Sequence, residues 1–246
     1  MMAIDKTVTS FDNAVADIHD GAVIGSSFWA GPVTSPENLV RALARKGSKN
    51  LTLVGFTGGG RGQQMQETEP TRASSIPGAV DWAILVEQGL VNKVVSSFPF
   101  VHRHDTPVNK AWKDGNLQVE HFSHGTLAVR LWAAGAGVGG VYVRTGVKTV
   151  VEEGKEKRVF GNEEYILELP LKLDFALIRA YKADKFGNLI YRGVGRATGP
   201  LMAKAATMTI AEVDEIVEPG MLDPEHIITP GIYVHRVVQV PKGGSE

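Results

Sequence analysis

Residues 22–56 read AVIGSSFWAGPVTSPENLVRALARKGSKNLTLVGF, and their order decides the fold. Ala22-Val23-Ile24 is a brief apolar run that breaks at Gly25-Ser26-Ser27, the pattern of a buried strand entering a loop. Ser35-Pro36-Glu37 then offers Ser as an N-cap with Pro at the first helical position. Leu39, Val40 and Leu43 follow on one face, and Gly47 stops the helix. Leu51-Thr52-Leu53-Val54-Gly55-Phe56 is a second apolar, β-branched strand.

The unit repeats outward. TGGGRGQQ (57–64) is a loop, DWAILVEQG (81–89) a helical stretch, and Val91 to Ser97 a third strand. Apolar strands alternating with helices imply an α/β fold: an open, mostly parallel sheet flanked by helices, with ligands gathering at the carboxyl ends of its strands. Before this unit, SFDNAVADIHDG places Phe11, Val15 and Ile18 at helical spacing up to Gly21. Beyond it come a helical VNKAWKDG after Pro107, a strand at Leu117 to Glu120, a loop at Phe122 to Gly125 and a helix from Thr126 to about Ala134. Residues 150–168 are charged and alternating around Gly161-Asn162, which suits a small exposed β-hairpin. Strands are expected at Asp174 to Ile178, Leu189 to Tyr191, Met208 to Val213 and Ile232 to Val240, a helix at Leu201 to Ala206, and a loose tail at KGGSE. With no repeat or linker, one domain over 1–246 is expected.

Composition narrows the chemistry. The chain has 246 residues, 43% hydrophobic, with 26 basic against 27 acidic side chains, so it shows no nucleic-acid footprint. There is no cysteine, which removes disulfides, thiolate nucleophiles and Cys-based metal sites. The first twenty residues carry acids and no apolar h-region, and no stretch approaches the roughly 18 apolar residues of a membrane span. A soluble, cytoplasmic chain without membrane contact is the expectation. Glycine is over-represented, at 28 residues against an average share of about 7%.

No P-loop, dinucleotide fingerprint or Gly-x-Ser-x-Gly elbow is present. His102-x-His104 with His121 hints at a metal but lacks a carboxylate at a matching helical spacing, so a surface role is expected and no metal is assigned. Three strand-to-helix junctions remain: Gly25 to Pro32, Ser123-His124-Gly125-Thr126, and Arg196-Ala197-Thr198-Gly199-Pro200. Small residues there let backbone approach a ligand, although each alone is also what an ordinary connection looks like.

Taken together, ADIHDGAVI, SPENLVRAL, GTLAVRLWAAGAG, RTGVKTVVEEGKE, DFALIRAYKADKFGNLIYR, PLMAKAAT and EVDEIVEPGMLDP with HIITPGIYVHRVV resemble the A (alpha) subunit of family I CoA-transferases, most like the 3-oxoacid type. The resemblance runs from about Ala16 to Val238. It implies a CoA-transferase or NagB/RpiA-like domain and a B (beta) subunit of similar fold, assembled as A2B2 or larger. It also implies a CoA thioester and a carboxylic acid as substrates, with no permanently bound cofactor. In that family CoA moves through acyl-anhydride and glutamyl-thioester intermediates on a glutamate in a Ser-Glu-Asn-Gly-type motif of the B subunit, and this chain lacks that motif.

The resemblance implies that the A subunit lines the acyl site and supplies polar groups to the thioester oxyanion. The family's Gln in Pro-Gln-Gly-Thr is here His124. The family's Gly-Gly-Phe and Gly-x-Pro become Ser26-Ser27-Phe28-Trp29-Ala30-Gly31-Pro32, and its Asn-Phe-Asn becomes Ala197-Thr198-Gly199 after Arg196. Its glycine-rich segment after the fourth strand becomes Phe98-Pro99-Phe100-Val101-His102-Arg103-His104. His124 is therefore expected to be catalytic, as oxyanion donor or as acid/base. Ser26, Ser27, Phe28, Trp29, Gly31, Phe98, Arg196 and Thr198 are expected to bind substrate. Trp29, Phe98 and Phe100 either widen an apolar acyl pocket or sit in the core. If His124 works as an acid or base, the alternative is a CoA-thioester hydrolase, decarboxylase or ring-cleaving enzyme on the same fold.

Overall fold

The computed structural model describes residues 4–28, 34–59, 80–100 and 106–241. The KGGSE tail and most of the 57–64 loop lie outside them. The strands of the main sheet are β1 (Val23–Ser26), β2 (Leu51–Gly55), β3 (Val91–Ser96), β4 (Gln118–His121), β8 (Leu173–Asp184), β9 (Leu189–Ile190), β10 (Ala206–Val217) and β11 (Arg236–Gln239). Their order is β11-β10-β8-β1-β2-β3-β4, every pair along it parallel, with β9 added antiparallel on β8. The open, mostly parallel sheet expected from the alternation is what forms.

Successive residues of each strand serve opposite faces, which is why the strands read as continuous apolar runs. Ile24, Leu53, Val94, Leu177 and Ile210 meet one core, built with α1 (Phe11–Ala14), α2 (Glu37–Lys46), α3 (Ala83–Glu87) and α4 (Pro107–Lys113). Val54, Val95, Ala176, Ile178 and Ala211 meet a second, covered by α5 (His124–Ala136) and α6 (Gly199–Ala205).

Several boundaries differ from the sequence expectation for physical reasons. The strands expected at Asp174 to Ile178 and Met208 to Val213 run on to Asp184 and Val217. Their extensions are held by cross-strand pairs, Arg179 with Glu212 and Lys182 with Glu215, so charge complementarity replaces apolar patterning there. The first helix ends at Ala14, and Val15 and Ile18 reach the core from the turn that follows. The strand expected at Ile232 to Val240 is confined to Arg236–Gln239, because Gly231–Tyr233 forms a 3-10 turn that leaves Ile232 exposed. The hairpin is β6 (Lys157–Phe160) and β7 (Glu163–Glu168), turning at Gly161, and β5 (Val141–Val143) adds a third strand to it. Its β6 strand is exposed throughout, whereas Ile166 and Glu168 of β7 are buried, so the unit is only partly exposed.

Ser35 does not cap α2. Its hydroxyl donates to the Val80 carbonyl at 3.2 Å, and the helix opens after Pro36 without a side-chain cap of its own. The cap comes from Glu212 on β10. Its Oε2 accepts the Asn38 and Leu39 backbone N–H groups at 3.0 and 3.1 Å, and its Oε1 accepts Asn38 Nδ2 at 3.0 Å and Arg179 Nη1 at 2.5 Å. Burial raises the Glu212 pKa, and Arg179 with the Leu39 and Asn38 donors opposes that shift. Removing the carboxylate strands four donors in the interior. Glu212→Leu should therefore cost about 3–5 kcal/mol in urea unfolding, whereas Glu212→Gln, which keeps an acceptor oxygen, should cost distinctly less. Equal midpoints for wild type and Glu212→Leu would refute the interlayer cap.

Candidate functional site at the strand ends

The strand order sets the location. From β1 the chain moves to β2, β3 and β4 on one side, and β8, β10 and β11 fill the other. The direction reverses between β1 and β8, and in open α/β sheets ligands occupy the crevice at the carboxyl ends beside such a switch point. Ser26 pairs with Leu177 there, and Ser27 follows as the chain leaves the sheet.

Ser27 is fixed on three sides. Its hydroxyl donates to the Thr34 carbonyl at 3.0 Å and accepts the Arg179 backbone N–H at 2.9 Å, while its carbonyl accepts Thr198 Oγ1 at 3.0 Å. Two of the junctions singled out in the sequence thus meet directly. Ser26 is buried and its Oγ has no hydrogen-bond partner among the described residues. Phe28 enters the core on the α1–α4 face. Arg196 sits exposed in the 3-10 turn Gly193–Arg196, two residues before Thr198, and stands apart from the hydrogen bonds that hold Ser27. Trp29 and Gly31 lie outside the described residues, as do His102 and His104.

The adjacent strand ends carry the other group. Ser123 Oγ accepts the Thr126 N–H at 3.2 Å, so it is the N-cap of α5, and His124 becomes the first helical residue instead of a loop residue. The His124 ring meets Phe56, just past β2, edge to face at 5.7 Å between centroids. Partial burial lowers the His124 pKa, with the charge of neighbouring His121 acting in the same direction. At neutral pH the ring is therefore neutral, at the positive end of the α5 dipole, where negative charge is favoured. The His121 ring bonds the Ser97 carbonyl at 3.0 Å.

Loop crowding shapes the same edge. Gly58 donates to the Phe98 carbonyl at 2.8 Å, and a Cβ on Gly58 would lie 2.0 Å from the Pro99 carbonyl oxygen, so only glycine fits. Phe98 is 44% exposed above this contact. Phe100 instead stacks on Trp112 of α4, with 4.7 Å between ring centroids.

Sequence reasoning missed Arg179, Glu212, Ser96 and Ser97. The first two carried a legible signal, opposite charges at corresponding positions of two strands; the serines read only as a strand end. Ser96 Oγ accepts the Phe98 N–H at 3.2 Å, Ser27 is fully engaged, and Ser26 touches no base, so no activated hydroxyl nucleophile is assembled from these residues. Among the described residues no group of three or more His, Cys, Asp or Glu is placed to hold a metal, and no helix is long and apolar enough to cross a membrane.

The family model for coenzyme A transferase matches residues 8–240. The chain is 41% identical over 240 residues to the A subunit of the 3-oxoadipate CoA-transferase of Acinetobacter baylyi, covering 96% of both sequences. It is 35% identical over 245 residues to the A subunit of the succinyl-CoA:3-ketoacid coenzyme A transferase of Helicobacter pylori, covering 97% of this chain and 94% of that protein. Among solved structures, the thioester complex of an acyl-CoA transferase (YdiF) from Escherichia coli O157:H7 superposes with a TM-score of 0.79 at 22% identity. That match covers 98% of this chain but 48% of the other, so this chain spans about half the length of that relative.

The Thr198 tie to Ser27 makes a direct prediction. Thr198→Val leaves a buried carbonyl unpaired and should cost about 1–3 kcal/mol, seen as a lower thermal midpoint, while Thr198→Ser should stay near wild type. A Val variant as stable as wild type would show that the two junctions are not joined through this bond.

Proposed function

The chain belongs to the coenzyme A transferase family, among its A-type subunits, and from that premise we propose that it forms one half of a 3-oxoacid CoA-transferase. The complete enzyme moves CoA between an acyl-CoA thioester and a 3-oxo carboxylic acid, in the cytoplasm, as A2B2 or a larger assembly. The B subunit provides a glutamate. Its carboxylate attacks the thioester carbonyl and expels CoA thiolate, leaving an acyl-glutamyl anhydride. The thiolate then attacks the glutamyl carbonyl and releases the first acid. The acceptor acid and the glutamyl thioester repeat the two steps in reverse.

One observation carries the role of this chain: an imidazole with a lowered pKa at the N-terminus of α5, against Phe56 at the end of β2, with no base–nucleophile pair among the described residues. Such a group can stabilise charge without forming a bond to the acyl group. His124 donates an N–H to the oxyanion that develops as the thioester is attacked, the task of the family's Gln. His124 is exposed on this chain, so such a donor reaches its full worth when the partner subunit covers it and excludes water. The switch-point segment at Ser26 and Ser27, with Thr198 behind it, forms the wall for the acyl group. Phe98 and Arg196 are assigned to substrate binding by their loops, after β3 and before α6, and Trp29 and Gly31 by their place in the 25–32 segment alone.

The lowered pKa of His124 also suits a base, which keeps the hydrolase reading in play, and the same experiments separate the two. The purified chain alone should neither transfer CoA nor form an adduct. With its B subunit, borohydride reduction after acyl-CoA addition should trap a modified glutamate on that partner. Free CoA released without any acceptor acid, and no trapped glutamate, would favour hydrolysis. Robust transfer by the single chain would overturn the half-enzyme assignment.

His124→Ala should lower turnover of the assembled complex by at least about tenfold, and His124→Gln should restore much of it. The folded pKa lies below the ordinary 6.5, so the ring stays neutral until the pH falls beneath that value. As an oxyanion donor the ring offers an N–H whether neutral or protonated, so wild type and His124→Gln should share one acid-side profile of kcat/KM. A loss beginning below about 6.5 in the wild type alone would mark His124 as a base and overturn the donor role.

A further inference from the structure

Helix α5 carries its polarity the wrong way round. Its sequence, HGTLAVRLWAAGA, holds one permanently charged residue, Arg130, and that residue is turned toward the protein. The Arg130 side chain is only 14% exposed, pairs with Glu168 at 3.8 Å and Glu120 at 3.9 Å, and donates from Nε to the Leu169 carbonyl at 2.8 Å. Leu127 and Leu131 join the second core, and Thr126 and Ala133 are buried too. What remains for solvent is Gly125, Ala128, Val129, Trp132 and Ala136, spaced i, i+3, i+4, i+7 and i+11, hence one face of the helix. Gly125, Trp132 and Ala136 are exposed, Trp132 to 51%, and Ala128 and Val129 are half-buried. The face has no charged side chain, and its single polar side-chain group is the Trp132 indole N–H.

Helices of the other layer do the reverse: α2 shows Arg45 and Lys46 to solvent, and α4 shows Lys110 and Lys113. A helix that is apolar on every side belongs inside a protein, and a contiguous exposed apolar face marks a surface that another molecule covers. Gly125 adds a separate sign. Glycine in a helix is less stable than alanine, and a Cβ on Gly125 would meet no atom of this chain within 4 Å. Nothing in this chain requires the glycine; close approach of a second chain supplies a reason for it.

We propose that this face of α5 is the seat of the B subunit, which lays an uncharged apolar surface over it and takes Trp132 into a pocket, so that docking also shuts water away from His124. The proposal rests on the half-enzyme reading above. Two observations select this occupant. The face begins one residue after His124 on the same helix, so whatever covers the exposed imidazole extends onto Gly125 and Ala128. The acyl-CoA transferase chain that superposes on this one is about twice as long, and the half that it carries beyond the match is, in that reading, a separate subunit here. A second copy of this chain would cover the face with a helix that brings no carboxylate nucleophile to His124. An aromatic anchor amid small residues is also the composition that concentrates binding energy at the centre of an interface.

The chain has no cysteine, so Ala136→Cys places a single thiol on the face with Trp132 intact. A maleimide should label it readily in the free chain, and the A/B complex should lose most of that labelling, read by mass on this chain. Trp132→Glu puts a charge at the centre of the face and should weaken association with the B subunit at least about thirtyfold in calorimetric titration, with the thermal midpoint of the free chain unchanged. Turnover lost in that variant should return as the subunit concentrations are raised, because assembly and not chemistry is impaired. Should Trp132→Glu lower the midpoint, protection of Ala136→Cys decides alone. Equal labelling in free chain and complex overturns the proposal, and so does a well-folded Trp132→Glu chain that associates as wild type does. Protection that grows with the concentration of this chain alone also overturns it and assigns the face to a second copy. A complex that protects the thiol but transfers no CoA defeats the transferase reading and leaves the docking face standing; CoA transfer by a complex whose thiol stays reactive does the opposite.

Discussion

The buried carboxylate of Glu212 is the contact on which the two layers and the site depend together. It reaches from β10 across the sheet edge to the first backbone N–H groups of α2, and its other oxygen meets Arg179 on β8. A helix N-terminus carries unsatisfied donors and partial positive charge, so an anion from another element caps it as well as a local side chain would. The consequence is geometric. Helix α2, strand β8 and strand β10 are fixed relative to one another at the carboxyl end of the sheet, beside the backbone N–H of Arg179 that holds the Ser27 hydroxyl. A local Ser35 cap would have steadied α2 alone.

From that anchor the site follows by connectivity. Because the strand order reverses at β1 and β8, no helix crosses directly between these two strand ends, and the chain must leave the sheet on diverging paths. Ser27, Thr34 and Thr198 close the base of the gap with hydrogen bonds, and the N-terminus of α5 approaches from the β2–β4 side through the Phe56–His124 contact. Gly58 marks how tightly the loops after β2 and β3 are pressed together, since any side chain there would strike a backbone carbonyl.

Much of this was legible from residues. The alternation in 22–56 was enough for the parallel sheet, and the punctuation at Ser123-His124 and Thr198-Gly199-Pro200 marked the junctions that border the site. What escaped was whatever depended on partners distant in sequence. The continuation of β8 past Ile178 and of β10 past Val213 is not apolar, and it holds because Arg179 and Lys182 are set against Glu212 and Glu215. Ser35 has every local mark of an N-cap, yet a carboxylate 177 positions further along the chain takes its place. The 150–168 segment reads as solvated because its charge is high, but burial of Glu168 rests on Lys155 within the segment and Arg130 outside it. Periodicity reports which face is apolar; it carries no information on which buried charges will find each other.

The placement of charge suits this chain to be one half of an enzyme in chemical terms. Acyl transfer from a thioester needs a nucleophile that can also leave, and a carboxylate qualifies because the anhydride it forms is reactive enough to be opened by a thiolate. The buried carboxylate near the switch point cannot serve: Glu212 is saturated by four donors and faces the helix. The hydroxyls beside it are tied to backbone or, at Ser26, lack a base. What is left at the strand ends is the His124 imidazole, its pKa lowered by burial, with the N-terminus of α5, a set without negative charge. That set lowers the energy of an oxyanion most when the attacking charge arrives from elsewhere, because a resident anion would compete for the same donors. In the two-subunit enzyme proposed above, the attacking carboxylate comes from the partner and does not compete for these donors until the acyl group is in place.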